Sequence, residues 1–458
     1  MRADLLTGST AEIDEALAAV DAFDQALVAG LLRPQPAQAA GLAHLAGAVA
    51  GTPLTARVAE AAEKAAAGVG GEDDFLALAA ARTALLGAIH DALMSQVEEA
   101  VGRPRAEGEP GRKSPDGQAN LLAAARSWLA DLAREGWQGL NNDVVSGSAQ
   151  VIPAMLPDPA LRRLATLLDG FAAELAASCP GSAMDRVPVR RWADLWSRAV
   201  LLTVPGAMTT SATSTATGRL LPLGIDLQEH ATAVQAQVHA VFEPADGAAA
   251  RLVRASVCAP KPDTVIGAGV WQLLRPHMSL LSAVTEGRAM DLTDMPLTDE
   301  GDLIWQDGNA RPGAPADPFA TARVALPAAS DAPAAPLDRH PARIAVPVFL
   351  EGYAAKKDTF VVAGRPLPVD TDRIPAAGPL TPKAVAASAA CIALLRWDDG
   401  SFYLQPLAVE TTERKLAAAL QAGAWAGGAA DKEGAKAEKA ATDAMSVLRE
   451  RAGRLLRK

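Results

Sequence analysis

Aromatic side chains are scarce in this sequence, and their scarcity limits how a core can be built. Phenylalanine, tyrosine and tryptophan together make up 4% of the 458 residues, although hydrophobic residues make up 50%. Much of the apolar content is therefore alanine, which favours helices strongly but adds little buried area to a core. We expect a long, alanine-rich helical portion that is held together by a limited number of Leu, Val and Trp contacts.

Cysteine is also scarce, and acidic residues outnumber basic ones by 53 to 43. The three cysteines, Cys179, Cys258 and Cys391, lie far apart and form no C-x-x-C pair. We expect each to be a small buried side chain in a reducing compartment. A formal charge of −10 argues against a protein whose bulk surface binds nucleic acid.

Long apolar runs are missing as well. No segment reaches ~18 uninterrupted apolar residues, the length of a membrane span, because Arg82, His90 and Asp91 interrupt the most apolar stretch. The first residues are followed at once by a polar run and do not have the pattern of a signal peptide. The cytoplasm is the expected location, and a chain of 458 residues favours two or three domains.

The sequence contains no strong catalytic or cofactor motif. It lacks H-E-x-x-H and a P-loop, and its histidines have no ligands at metal-binding spacing. The glycine-rich stretch 264–271 is similar to the start of a dinucleotide-binding helix, but the third glycine is replaced by Gln272, so a turn is the favoured interpretation. The acidic stretch 291–302 lacks EF-hand spacing and is interpreted as a solvated loop. We therefore predict no catalytic, cofactor-binding or metal residue and no cofactor.

Helical periodicity dominates the first 205 residues. Apolar residues recur at one-turn spacing over about 10–31, 37–50, 54–67 and 73–101, and later around Trp128. Another helix is predicted to begin with Asp158 as N-cap and Pro159 as its first residue. These patterns predict a helical domain over 1–205. It would contain a mobile loop at 102–118, which has no large apolar side chain.

Alternation with a period of two predicts a β-rich domain over 219–410, after a threonine-rich linker at 206–218. Strands are expected at 234–243, 252–258, 341–350 and 358–363, with a late hairpin from Cys391 to Val409. One continuous helix at about 269–286 is expected to interrupt them. The predicted fold class is α+β, in which an alanine-rich N-terminal helical bundle precedes a mainly antiparallel β domain with an inserted helix and a C-terminal helix.

Helical character is predicted to return after Glu410 in a C-terminal helical tail, 411–458, which ends in a basic amphipathic helix. Arg449, Arg451, Arg454 and Arg457 surround an apolar stripe that contains Met445 and Leu448. This helix could dock on the protein's own acidic surface, pair with another copy or lie on an anionic membrane. The first two interpretations are favoured, because the stripe lacks Trp and Phe.

Trp192 and Trp196 lie four residues apart beside Arg190, Arg191 and Arg198. They fill a core or anchor an interface, and the core is the favoured interpretation. In overall style this region resembles uncharacterised proteins of high-GC bacteria that accompany MoxR-type ATPases and von Willebrand A proteins. That resemblance implies an accessory role in such an assembly.

The leading functional hypothesis is a non-enzymatic interaction or scaffold protein of the bacterial cytoplasm. It would act through helical-domain surfaces and the basic C-terminal helix, on a protein partner or another copy rather than on nucleic acid. The alternative is a hydrolase-like enzyme whose site is dispersed at the α/β junction, with His230, His277, Asp263 and Ser256 as contributors. A deep pocket that holds a histidine–carboxylate pair would favour the enzyme.

Overall fold

The computed structural model describes residues 1–7, 11–106, 112–113, 118–207, 209–210, 213–230, 232–262, 264–413, 416–428 and 432–455. An N-terminal helical region is followed by a mainly antiparallel sheet region and then by a C-terminal helix. The predicted α+β fold class is therefore confirmed. The sequence Ser9-Thr10-Ala11-Glu12 has the form of a capping box for the first helix, but Ser9 lies outside the described residues.

The helical region follows the predicted periodicity closely, and four long helices precede residue 102. Short helices that the sequence analysis did not anticipate lie between the two later tryptophan-bearing helices. The helices are α1 (Ala11–Ala29), α2 (Pro36–Ala48), α3 (Thr55–Ala66), α4 (Glu72–Val101), α5 (Ala119–Glu135), α6 (Asn142–Ser146), α7 (Val151–Met155), α8 (Arg162–Ala177) and α9 (Val189–Leu202).

Large aromatic side chains fill the centre of the helical region. The ring centroid of Trp137 lies 6.2 Å from that of Phe171 and 5.9 Å from that of Trp192, and both pairs meet edge to face. Trp196 lies 6.4 Å from Phe23 on α1. Such pairs stabilise a core beyond the area that they bury. Aromatic side chains thus supply buried volume that the many alanines of this region do not.

One helix, α4, belongs to two cores. Its first turns pack inside the helical region, whereas Ile89, Leu93 and Val97 form a second core with Val346 and Trp397 of the sheet region. Among the described residues α4 is also the one helix long and apolar enough to cross a membrane, but half of its apolar window is buried in the protein. The helical and sheet regions therefore share a core.

The sheet region contains strands of very different lengths. Those that carry most of the pairing are long and antiparallel, and the rest are short connections. The strands are β1 (Arg112–Lys113), β2 (Thr209–Thr210), β3 (Thr213–Glu229), β4 (Ala233–Pro244), β5 (Arg251–Pro260), β6 (Arg288–Thr298), β7 (Asp302–Leu303), β8 (Ala310–Pro315), β9 (Val346–Glu351), β10 (Ala354–Lys356), β11 (Thr359–Val362), β12 (Arg365–Pro368), β13 (Ser388–Asp398), β14 (Ser401–Glu413) and β15 (Leu416–Gln421).

The first large sheet has the order β3-β4-β5-β7-β6-β8, and β3 also pairs with β6, so these pairings close a ring. The β4–β5 hairpin confirms the predicted strands, with Val234 opposite Ala259 and Val241 opposite Leu252. β5 pairs with β7 in parallel, at Arg254 with Asp302 and at Ala255 with Leu303.

The second large sheet has the order β15-β14-β13-β9, and the predicted late hairpin is its β13–β14 pair. β10, β11 and β12 form a small separate sheet. The two large sheets approach closely where β3 passes β14. A Cβ added to Gly224 on β3 would lie only 2.9 Å from the Leu407 side chain on β14. A side chain at position 224 would force the sheets apart.

Four predicted elements differ in the structure. Residues 416–421 of the predicted helical tail form β15, because pairing with β14 outweighs the helix propensity of their alanines. Residues 213–218 of the predicted linker are part of β3 and pair with β6, because threonine's branched side chain suits a strand. The predicted helix at 269–286 is divided into α10 (Gly269–Leu274) and α11 (Met278–Thr285), because Pro276 interrupts it. The helix expected at Asp158 begins at Arg162, and the Asp158 carboxylate accepts from the Ala160 backbone amide in a preceding turn.

Two further segments also differ from expectation. The predicted loop at 102–118 is anchored at its start, where buried Arg103 donates to Asp331 and to the Pro347 carbonyl. Residues 107–111 and 114–117 lie outside the described part. The stretch 306–340 is rich in proline, alanine, aspartate and glycine, a composition that favours loops, but it includes β8 and α12 (Pro318–Val324). α13 (Pro382–Ala386) precedes β13, and α14 (Lys432–Leu455) is the predicted C-terminal helix.

Candidate functional site

A cleft of about 790 Å³ lies where the helical region meets the sheet region, and we call it the junction cleft. Its walls come from the second half of α4, from the polar face of β4 and β5, and from the segment 331–347. A volume of this size is typical of small-molecule sites.

The sheet wall is built by the alternation that the sequence shows. Val234, Ala236 and Val238 face the core, whereas Gln235 and Gln237 face the cleft. Strand pairing extends this polar face to the neighbouring strands, since Gln237 lies opposite Ser256 on β5 and donates to its Oγ at 3.1 Å. The polar face of β4 and β5 thus forms one wall of the junction cleft.

A buried polar cluster, which we call the Asp226 cluster, adjoins this wall, since Asp226 pairs with Gln237 across β3 and β4 and Arg396 lines the junction cleft. The carboxylate of Asp226 accepts from Arg396 Nη2 at 2.8 Å and from Gln405 Nε2 at 2.7 Å. Arg396 Nε donates in turn to Gln405 Oε1. This cluster joins β3 of the first sheet to β13 and β14 of the second, so the two sheets are held by polar contacts as well as by packing.

His239 lies beside the Asp226 cluster and is 1% exposed. Burial lowers the pKa of His239 to about 3, although the charge of Asp226 opposes that shift. Its Nε2 is buried and has no hydrogen-bond partner among the described residues. His239 is therefore neutral at physiological pH and is not poised as a base.

The helical wall carries the histidine–carboxylate pair that would favour an enzyme. His90 Nδ1 lies 3.1 Å from Asp91 Oδ1, and His90 lines the junction cleft. Burial lowers the pKa of His90, against the opposing effect of Asp91. Asp91 is also bound by Arg339 at 3.2 Å and lies 3.8 Å from Arg105. The sequence does show a histidine next to an aspartate at positions 90 and 91, but no pattern in it places this pair beside a sheet.

Three arginines converge on one carboxylate at another part of the cleft wall. Asp338 Oδ1 accepts from Arg343 at 2.7 Å and from Arg198 at 3.0 Å, and Arg163 Nη2 lies 3.8 Å from Asp338 Oδ2. We call these four residues the Asp338 cluster. They come from α8, α9 and the segment 331–347, so no sequence spacing predicted the cluster.

A second histidine–carboxylate contact lies behind the Asp338 cluster. His340 Nε2 is 3.5 Å from Asp194, and its Nδ1 accepts from the Ala342 backbone amide. Burial lowers the pKa of His340 to about 4. Burial alone would raise the pKa of Asp194, but His340, Arg82 and other nearby arginines outweigh it and lower the pKa. The Nδ1 contact leaves His340 neutral and holds its ring in place.

Of the dispersed residues named in the enzyme hypothesis, the structure places Ser256 in the junction cleft. His230 and His277 do not line it, and Asp263 lies outside the described residues. Within the described part of the chain, no group of three or more His, Cys, Asp or Glu side chains could hold a metal ion. The residues proposed for the enzyme are therefore not brought together.

The residues proposed for interaction divide into two groups. Trp192 and Trp196 are 1% and 0% exposed, so they lie in the core and cannot anchor a surface contact. Arg449, Arg451 and Arg454 are exposed on α14, and Arg457 lies outside the described residues. The expectation for the cysteines was partly wrong, since Cys391 is buried but Cys258 is exposed and Cys179 is partly exposed.

No family model, curated protein or solved structure matches this chain. The resemblance to proteins that accompany MoxR-type ATPases and von Willebrand A proteins stays a prediction.

Proposed function

We propose that this protein is a non-enzymatic interaction or scaffold protein of the bacterial cytoplasm, which self-associates through the outer half of α14, residues 443–455. The proposal depends on one observation above all. None of residues 435–454 is buried, although Met445 and Leu448 lie one turn apart on a shared apolar stripe. A stripe of this kind is stable when a partner covers it.

The base of α14 is fixed, which makes its outer half a presented element rather than a loose end. Gln272 Nε2 on α10 donates to Thr442 Oγ1 at 2.8 Å, and Arg275 lies 3.5 Å from Glu438. An added Cβ on Gly269 would meet Ala441 at 3.6 Å. Between Asp443 and Leu455, the side-chain hydrogen bonds that the described residues of α14 form, those of Ser446 and Arg454, lie within the helix itself.

Charge argues that the partner is a second copy. Residues 432–458 contain eight basic and four acidic residues, a formal charge of +4. Because the whole chain carries −10, the remaining residues carry −14. A basic helix on an acidic body is complementary to the body of another copy. The attraction should weaken as salt is added.

Light scattering on the full chain tests the proposal. We expect a mass above that of the monomer, which falls to the monomer in Met445→Glu/Leu448→Glu and in Arg449→Glu/Arg451→Glu/Arg454→Glu. The matched control, Lys356→Glu/Lys357→Glu, reverses two exposed charges at the turn between β10 and β11, outside α14, and should leave the mass unchanged. A full chain that stays monomeric at high concentration would contradict the proposal, as would pelleting with anionic vesicles that depends on the same arginines.

A hydrolase-like enzyme is the second candidate, because the junction cleft contains the His90–Asp91 pair. If it is correct, purified protein turns over an ester, peptide, phosphate or nucleotide substrate, and His90→Ala lowers the rate by about 100-fold or more. His44→Ala, an exposed histidine on α2, is the control. Absence of turnover, or turnover unchanged by His90→Ala, would contradict this candidate.

A further inference from the structure

The Asp338 cluster holds more positive charge than its carboxylate can balance. Asp338 faces Arg163, Arg198 and Arg343, so one negative charge meets three guanidinium groups. Burial and repulsion from Arg198 both lower the pKa of Arg343. Crowded arginines of this kind favour an anion between them.

The charged groups next to the Asp338 cluster do not balance its excess positive charge. The next carboxylate, Asp194, lies 3.5 Å from Arg82, which is itself bound by Asp24 at 2.7 Å and 3.0 Å. His340 is neutral at physiological pH, because its pKa is lowered to about 4. Arg82, Asp24 and Asp194 together carry one net negative charge, so with the Asp338 cluster an excess of one positive charge remains.

Arg163 is the member of the cluster that is most available to a ligand. It lines the junction cleft and its side chain is 46% exposed. Its contact with Asp338 is a 3.8 Å ion pair, too long for a hydrogen bond. A guanidinium group has five N–H donors in a planar fork that fits phosphate and carboxylate oxygens.

The sheet wall of the same cleft offers neutral hydrogen-bonding groups. Gln228, Gln235, Gln237 and Ser256 all line it. Amide and hydroxyl groups of this kind suit the hydroxyls of a sugar. The described residues that line the cleft include no Phe, Tyr or Trp on which a nucleobase could stack.

We propose that the junction cleft binds a phosphorylated sugar. The phosphate lies against Arg163 and Arg343, and the hydroxyls face the glutamines and Ser256. The cleft volume of about 790 Å³ accommodates a molecule of this size. The proposal involves no chemical step and does not depend on α14.

Calorimetric titration of the full chain with ribose 5-phosphate, ribose and inorganic phosphate tests this inference. We expect ribose 5-phosphate to bind most tightly and ribose not to bind. Arg163→Gln should weaken binding by about tenfold or more. Arg162→Gln, the exposed neighbour on α8 that does not line the cleft, is the matched control and should bind as the unaltered protein does.

Asp338→Asn should change the affinity for ribose 5-phosphate in the opposite direction, because it removes the carboxylate that competes with the ligand for the arginines. We expect it to tighten binding several-fold, provided that its thermal unfolding matches that of the unaltered protein. If Asp338→Asn does not fold, the two arginine variants decide the question. Equal affinity for ribose and ribose 5-phosphate, or an equal effect of Arg163→Gln and Arg162→Gln, would overturn the proposal. Equal affinity for inorganic phosphate would overturn the sugar part of it.

Discussion

The two halves of this protein are held together by different kinds of contact. The helical half is centred on edge-to-face aromatic pairs around Trp137, which is fully buried. Where the two sheets of the other half meet, the buried Asp226 cluster contributes charged and amide side chains. The aromatic centre of the helical core therefore depends on volume and shape, although α1 and α4 also share the buried Asp24–Arg82 ion pair. The contact between the two sheets depends on each polar group keeping its partner.

This difference predicts different responses to mutation and to pH. A core filled by large apolar side chains loses stability mainly when volume is removed. A buried ion pair loses stability when one partner is removed, and a buried neutral histidine makes stability depend on pH.

Trp137→Ala should have the largest effect, because it opens a cavity between Phe171 and Trp192. We expect a loss of about 4 kcal/mol in the free energy of unfolding, measured by urea denaturation. Val69→Ala, at a position that is 71% exposed in the same half, should change that energy little. A loss below about 1 kcal/mol for Trp137→Ala would mean that the aromatic pairs do not hold the helical core.

Arg396→Met should have the second-largest effect, a loss of about 3 kcal/mol in the free energy of unfolding, because it leaves the buried Asp226 carboxylate without its cation. The double variant Asp226→Asn/Arg396→Met leaves no unpaired charge and should recover more than half of the loss. Urea denaturation of the single and double variants measures both effects. If the double variant is as unstable as Arg396→Met, the loss comes from packing and not from charge.

A pH effect comes next in size. The pKa of His239 is about 3 in the folded protein against an ordinary value of 6.5, so folding stability is lost as pH falls from about 6.5 towards 3. The slope contributed by this histidine is about 1.4 kcal/mol per pH unit. His239→Gln should flatten the profile between pH 6.5 and 4.5, whereas His44→Gln should not. An unchanged slope in His239→Gln would show that other groups set the acid sensitivity.

The smallest effect is expected at an exposed ion pair in the same sheet region. Arg219 Nη2 lies 2.7 Å from Glu243, and the side chains are 53% and 35% exposed. Glu243→Gln should change the free energy of unfolding by less than about 1 kcal/mol, because water and salt screen the pair. A loss as large as that of Arg396→Met would remove the distinction between buried and exposed pairs.

Local patterns in the sequence were enough to locate most elements. One-turn spacing located α1 to α5, and two-residue alternation located β4, β5, β13 and β14. The failures also have local causes. β3 begins inside a threonine-rich stretch that was assigned to a linker, and Pro276 divides a helix whose apolar spacing continues across it.

The candidate site was far less predictable, since it is assembled from residues distant in sequence. Asp338 and Arg163 are separated by 175 positions, and Arg396 meets Asp226 across 170. Ser256 was named for the α/β junction and does line the cleft. Hairpins define local pairing, but the sequence carries no comparable signal for the side chains that two packed regions bring together.

The claim that the outer half of α14 is an association surface is tested most directly by hydrogen exchange at several protein concentrations. The account predicts that amides of residues 443–455 become more protected as concentration rises, while amides in the first turns of α4 do not change. Exchange in 443–455 that is equally fast at every concentration would contradict it.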